Sequence, residues 1–197
     1  MKTSRLEAFS DGVLAIIITI MVLELRVPDG PELSDLLGVA TGLLTYLLSF
    51  VYVGIYWNNH HHMFQLVGRA TGGILWSNLA LLFCLSLLPF TTAWMDDQHF
   101  ATTPVVTYGL NLLLCAIAYW TLQTAITRSQ GPDGPLAAAL GRDIKAKLSP
   151  VVYVAGVLGA LVAPWLGVAI YAVVALMWLV PDRRVERYID SHGVAEE

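Results

Sequence analysis

Charge is what this chain has least of. Only 13% of its 197 residues are Asp, Glu, Lys or Arg, against about 25% in a typical soluble domain, so an ordinary soluble fold is not expected. Cysteine is nearly missing. Cys84 and Cys115 are too few for a disulfide framework, and both stand in apolar runs, where a thiol is normally buried. A basic surplus is missing too, and the net charge of -4 argues against nucleic acid as a partner. There is no Walker loop, no Rossmann glycine pattern, no second copy of the first apolar run and no low-complexity tract. Nothing therefore points to a nucleotide, a soluble substrate or a cofactor. What is abundant is apolar surface, at 56% of residues. That excludes disorder and reads as a polytopic membrane protein built as one domain over 1–197, with the lipid bilayer as its surroundings.

Six apolar segments are expected, and with them an all-α membrane protein of six transmembrane helices. They cover about Leu6–Leu25, Leu36–Trp57, Gly72–Trp94, Thr103–Thr127, Pro150–Ala163 and Pro164–Val180. The first keeps an acid, Asp11, and has no small-residue cleavage pattern, so it reads as a retained span rather than a leader. Arg26-Val27-Pro28-Asp29-Gly30-Pro31 ends it with a strong stop. Pro89 is expected to break or kink the third segment. The last two segments together are long enough to be mistaken for one, but Gly159, Pro164 and Gly167 favour a break.

Basic residues check that count. With six spans and a cytoplasmic N-terminus, the inner side holds Lys2, Arg5, Arg69, Arg128, Arg142, Lys145, Lys147, Arg183, Arg184 and Arg187, and the outer side holds only Arg26. This is the positive-inside pattern, and five spans would place the Arg183-Arg184-Arg187 cluster outside. Both termini are then cytoplasmic, in a multi-pass cell-membrane protein, and a bacterial inner membrane is expected. The outer side carries Glu24, Asp29, Glu32, Asp35, Asp96 and Asp97, which reads equally as a cation-concentrating mouth or as plain solvated loop. In the longest inner loop, Leu136–Leu148 is expected as a short interfacial helix with Arg142, Lys145 and Lys147 near lipid phosphates.

The first span holds the unusual residues. Arg5, Phe9, Ser10, Asp11, Thr19 and Glu24 interrupt or flank an apolar helix. Charge in such a place faces protein or water, either as an ordered vestibule or as a packing clamp. Arg5 and Asp11 are too far apart for an i,i+4 pair, so each is expected to meet another helix. Ile16, Ile20 and Leu23 share one helical face, with Gly12 one turn before them. Spacing alone reads this as a lipid-facing or core stripe. Several copies around an axis would instead stack it into apolar rings that gate by dewetting.

Past Trp57 come Asn58, Asn59, His60, His61 and His62. Three consecutive histidines do not share a helix face, which makes a poor metal site, and no metal is expected. His61 is the expected hydrogen-bond partner for the Arg5–Asp11 region. Asn78 in the third span, and Asn111, Tyr119, Thr121 and Gln123 in the fourth, are expected to hydrogen-bond between helices.

Taken together, Arg5-Leu6-Glu7-Ala8-Phe9-Ser10-Asp11 and the run on to Thr19 and Glu24, with Trp57, His61, Leu75-Trp76-Ser77-Asn78 and Pro89-Phe90, resemble the prokaryotic and endolysosomal transmembrane potassium-channel family with a Phe-Ser-Asp signature. The specific motifs lie in the first three spans, and the last three match mainly in layout. The resemblance implies a potassium-preferring cation channel, not an enzyme, that conducts K+ passively as a homotetramer around a central pore lined by the first helix. It places the constriction at Ile16, Ile20 and Leu23 and associates Thr19 with selectivity. It places the signature on Phe9, Ser10 and Asp11, and a supporting polar network on Arg5, His61 and Asn78. No Gly-Tyr-Gly filter run occurs, and apolar rings cannot replace a hydration shell as carbonyls do, so modest selectivity is expected. A secondary transporter is the alternative. It would show coupled, saturable flux and usually inverted repeats, which the sequence lacks.

Overall fold

Every regular element is helical in the computed structural model of the chain, which describes residues 3–140 and 144–179. In chain order they are α1 (Thr3–Leu23), α2 (Leu33–Gly38), α3 (Ala40–Gln65), α4 (Gly72–Ser86), α5 (Leu88–Asp97), α6 (Thr102–Gln130), α7 (Pro135–Leu140), α8 (Ile144–Val162) and α9 (Pro164–Leu179). Among the described residues five stretches are long and apolar enough to cross a membrane, namely α1, α3, α4 with α5, α6 and α8. The shorter α9 has 16 residues, about 24 Å at 1.5 Å per residue.

Several expected boundaries move. The second segment does not end at Trp57, because α3 continues to Gln65 and carries His60, His61 and His62 inside the helix. The expected interfacial helix Leu136–Leu148 is not one element. Its first part is the six-residue α7, Arg142 lies outside the described residues, and Lys145–Leu148 already belong to α8. That helix therefore takes Pro150 into its interior rather than starting there. Lys2, Arg183, Arg184 and Arg187 also lie outside the described residues.

The break between the last two segments is real. Trp178 Nε1 donates to Ser149 Oγ at 2.8 Å, and a Cβ on Gly167 would meet Ala160 and the Gly156 carbonyl. Such pairings, one rising as the other falls in number, make α8 and α9 an antiparallel hairpin. Gly156 and Gly167 serve there as close-packing positions, as small residues do between membrane helices. Gly109 of α6 does the same for Tyr171, whose hydroxyl occupies the space a Cβ would need.

The centre of the bundle is α6, which packs on α4, α5, α8 and α9. Its Val105, Tyr108, Leu112, Cys115, Leu122 and Ile126 are wholly buried. The edge is α1, which packs mainly on α3, α4 and α5 among the described residues. On α3 the buried residues Thr45, Ser49, Tyr52, Val53, Tyr56, His60, Met63 and Phe64 recur every three or four positions, the mark of one helical face turned to the core.

The two ends of the bundle differ in charge. The Thr3 hydroxyl donates to the Val67 carbonyl at 2.9 Å and Gln130 Nε2 donates to the Leu66 carbonyl at 2.7 Å. The start of α1, the α3–α4 turn and the end of α6 are thereby gathered at one end. Arg5, Arg69, Arg128, Lys145 and Lys147 lie there, whereas Glu24, Asp29, Glu32, Asp35, Asp96 and Asp97 lie at the other with Arg26.

Candidate functional site

One side of α1 is fixed by its own chain. Leu6, Ser10, Leu14, Ile17 and Met21 are buried, a stripe at steps of three and four that a single helix face produces. Ser10 is the polar member. Its hydroxyl donates to the Leu6 carbonyl at 2.8 Å and accepts from Asn78 Nδ2 of α4 at 2.9 Å. Asn78 Oδ1 pairs with His60 Nε2 of α3 at 2.8 Å, and the His60 ring stacks on Phe64 with centroids 4.2 Å apart. Ser10, Asn78 and His60 are all buried. One amide thus ties three helices together where no water competes, which is where such a bond has most effect.

A second contact sits one residue further on, at the surface. Asp11 Oδ1 accepts from Trp57 Nε1 of α3 at 3.0 Å. The Trp57 ring stacks on His61, and His61 Nε2 is 3.1 Å from Gln65 Nε2.

Of the residues singled out in the sequence, the structure thus brings Ser10 and Asn78 together inside the bundle and Asp11 to Trp57 outside it. The histidine reaching Asn78 is His60. His61 stacks on Trp57 and lies within electrostatic reach of Glu7 of α1, and Arg5 is exposed and takes part in none of these hydrogen bonds. His60 was hard to pick because three consecutive histidines differ only in which side of α3 they occupy. The i+4 spacing from Tyr52 through Tyr56 to His60 and Phe64 is the signal that would have found it. Asn111 of α6 makes its expected interhelical bond, to Thr91, whereas the Thr121 hydroxyl turns back to its own helix at Ile117.

The opposite side of α1 is largely exposed, although Ile16 and Ile20 border a groove shared with α5. Phe9, Gly12, Thr19 and Val22 are exposed there, as are Ile16 at 58%, Ile20 at 43% and Leu23 at 81%. Nothing lies within 4 Å of where a Gly12 Cβ would stand. The Thr19 hydroxyl donates to the Ile16 carbonyl at 2.9 Å, so it turns back onto its own helix. A row of large apolar side chains this exposed marks a surface that lipid or another polypeptide covers.

At the acidic end, Arg26 Nη2 and Asp97 Oδ1 form an ion pair at 2.5 Å. Beside it opens a cavity of about 560 Å³ lined in part by Asp29, Asp35, Asp96 and His99. Phe100 closes one wall by stacking on Trp165. His99 and Phe100 both hold positive φ, at 48° and 59°, a conformation side chains disfavour. Among the described residues no three His, Cys, Asp or Glu side chains converge as metal ligands would.

Residues 5–89 match the family model described as the endosomal/lysosomal potassium channel TMEM175. A potassium channel of a Chryseobacterium species is 50% identical over 192 residues, which cover 98% of this chain and 100% of that one. The mouse endosomal/lysosomal proton channel TMEM175 is 34% identical over 133 residues, 64% of this chain but 25% of that protein. The crystal structure of a lysosomal potassium-selective channel TMEM175 homolog from Chamaesiphon minutus superposes with a TM-score of 0.74 at 29% identity, covering 89% of this chain and 95% of that one.

Proposed function

The chain belongs to the TMEM175 potassium-channel family, a family of ion channels and not of enzymes, and from that premise we propose that it conducts potassium passively through a central pore lined by α1. In this reading four copies assemble as a homotetramer. The exposed faces of four α1 helices meet around the axis, and Ile16, Ile20 and Leu23 form stacked constrictions. Thr19 sits between them and, bonded to its own backbone, contributes helix shape rather than an ion ligand.

The observation that carries the reading is the division of α1. Its polar and buried residues, Ser10 foremost, anchor it to its own subunit, while an apolar face at the edge of the bundle stays largely exposed. Apolar rings of that kind close a pore by dewetting and pass ions with part of their hydration shell retained. Potassium sheds or deforms its shell more easily than sodium, so preference follows from ring width. Phe9, Ser10 and Asp11 act as the family signature, with Asp11–Trp57 and Ser10–Asn78–His60 holding the helix at the correct height.

The proposal includes six membrane crossings, α9 being the sixth. It sets the basic end in the cytoplasm and the acidic end outside, as the charge asymmetry favours, in the inner membrane of a bacterium. Acidic groups at the outer mouth then raise the local cation concentration.

The test is reconstitution in liposomes, with potassium-driven flux and reversal potentials against sodium measured for the parent and for Ile16→Asn. A non-saturating potassium-preferring current whose selectivity falls in Ile16→Asn is expected. Unchanged conductance and permeability ratio in that variant would remove α1 from the pore, and saturable flux coupled to a second ion would favour a transporter instead.

A further inference from the structure

Residues 72–97 make one apolar stretch but two helices. Pro89 has no N–H and its ring opposes the Leu85 carbonyl, so α4 stops at Ser86 and α5 starts at Leu88. Pro89 thereby leaves the Leu85 carbonyl without its usual helical donor and makes Leu87 the joint between two short helices. Within α5 the Thr91 hydroxyl bonds back to the first turn, 3.2 Å from the Leu87 carbonyl, which the Thr91 N–H also reaches at 3.0 Å, and 3.3 Å from that of Leu88, the usual back-bonding of a helical threonine. The same hydroxyl accepts Asn111 Nδ2–H from α6 at 3.3 Å. One residue on, Thr92 shares a 2.7 Å hydrogen bond with Ser49 of α3, whose hydroxyl lies 3.0 Å from that of Tyr108.

Asn111 is 4% exposed, and its Oδ1 has no hydrogen-bond partner among the described residues. A buried amide with an unused acceptor is a worse packing choice than leucine. Its one gain is the bond to Thr91, and through it to the first turn of α5.

The other side of α5 faces α1. Pro89, Phe90, Ala93 and Trp94 line a groove with Ile16 and Ile20, and Asp97 at the end of α5 pairs with Arg26 just beyond α1. The short helix is therefore held by α6 on one side and abuts the constriction stretch of α1 on the other.

We propose that Asn111 and Thr91 are positioning residues: their hydrogen bond sets the tilt of α5 about the Leu87 break, and α5 sets where the half of α1 carrying Ile16 and Ile20 stands. The inference rests on α1 lining the pore for its effect on flux, but not for its effect on geometry. Both are therefore measured. Cysteines replace Ile20 and Ala93 in a Cys84→Ala, Cys115→Ala background, and the rate of disulfide cross-linking is followed alongside potassium flux in liposomes.

Asn111→Leu is expected to change both the cross-linking rate and the flux by roughly three- to tenfold, the scale of coupling through packed side chains. Pro89→Ala, which lets α4 and α5 run on as one helix, should shrink that effect. Thr121→Val on the same α6 should change neither quantity. If Asn111→Leu does not fold, Thr91→Val removes the same bond from the other side and is read in the same way. Altered cross-linking in a protein whose parent carries no potassium would support the latch while removing the pore. Unaltered cross-linking in a folded Asn111→Leu or Thr91→Val, whatever its flux, would overturn the proposal.

Discussion

The first and fourth long helices invert the usual relation between composition and burial. Of the two, α1 is the more apolar and yet the less buried, while α6 carries Tyr108, Asn111 and Gln123 into the centre of the bundle. In water such an arrangement would be unstable. In a bilayer lipid tails are as apolar as leucine, so apolarity does not draw a helix inward, and what fixes its place is close packing and polar contact. Gly109 and the buried hydroxyl of Tyr108 hold α6 among its neighbours, as Gly156 and Gly167 hold α8 against α9. Only the Ser10 side of α1 is held in this way, and its other side is left for lipid or for further copies of the chain.

The contrast is open to direct test. Leu112→Ala empties a fully buried site on α6 and should cost about 2–5 kcal/mol, read as a drop in melting temperature in detergent with no new ion permeability. Next in size is Asn78→Leu, which removes the partner of the buried His60 Nε2 and leaves the Ser10 hydroxyl only its bond to the Leu6 carbonyl. A loss of about 1–3 kcal/mol is expected, with Asn78→Asp failing to restore the native melting temperature because it cannot donate to Ser10 and accept from His60 as the amide does. A melting temperature equal to the parent's would show that α1 is held by packing alone. Leu23→Ala, on the exposed face, should shift stability within about 0.5 kcal/mol and yet alter potassium flux. If it alters neither, that face is lipid-facing. The smallest effect belongs to Arg26→Ala. Both partners of its ion pair are more than half exposed, so the change in stability should stay below about 1 kcal/mol and vanish at high salt.

Much of this was legible in the residues. The apolar runs, the stop at Arg26–Pro31, the break at Pro164 and the gathering of basic residues on alternate connections all follow from local chemistry, since a proline or a charge acts where it stands. The helix face shared by Ile16, Ile20 and Leu23 is likewise fixed by spacing. Less was legible in α3, where helical order runs through the histidines to Gln65 because their side chains find partners that spacing cannot name. The Thr92–Ser49–Tyr108 and Thr91–Asn111 contacts join residues 20 to 59 positions apart, and no pattern in the sequence pairs them.

By itself, then, the sequence determined that the chain is helical and membrane-embedded, how its apolar runs are divided and where its charge lies. Each of these depends on the solvent preference and backbone conformation of residues taken singly or at fixed spacing. Only the tertiary structure decided that His60 rather than His61 meets Asn78, that α1 stands at the edge, and that α5 is wedged between α6 and α1. Those outcomes depend on which helices lie side by side, and in a medium where apolar faces are nearly interchangeable that choice falls to a few small residues and buried hydrogen bonds contributed by distant parts of the chain.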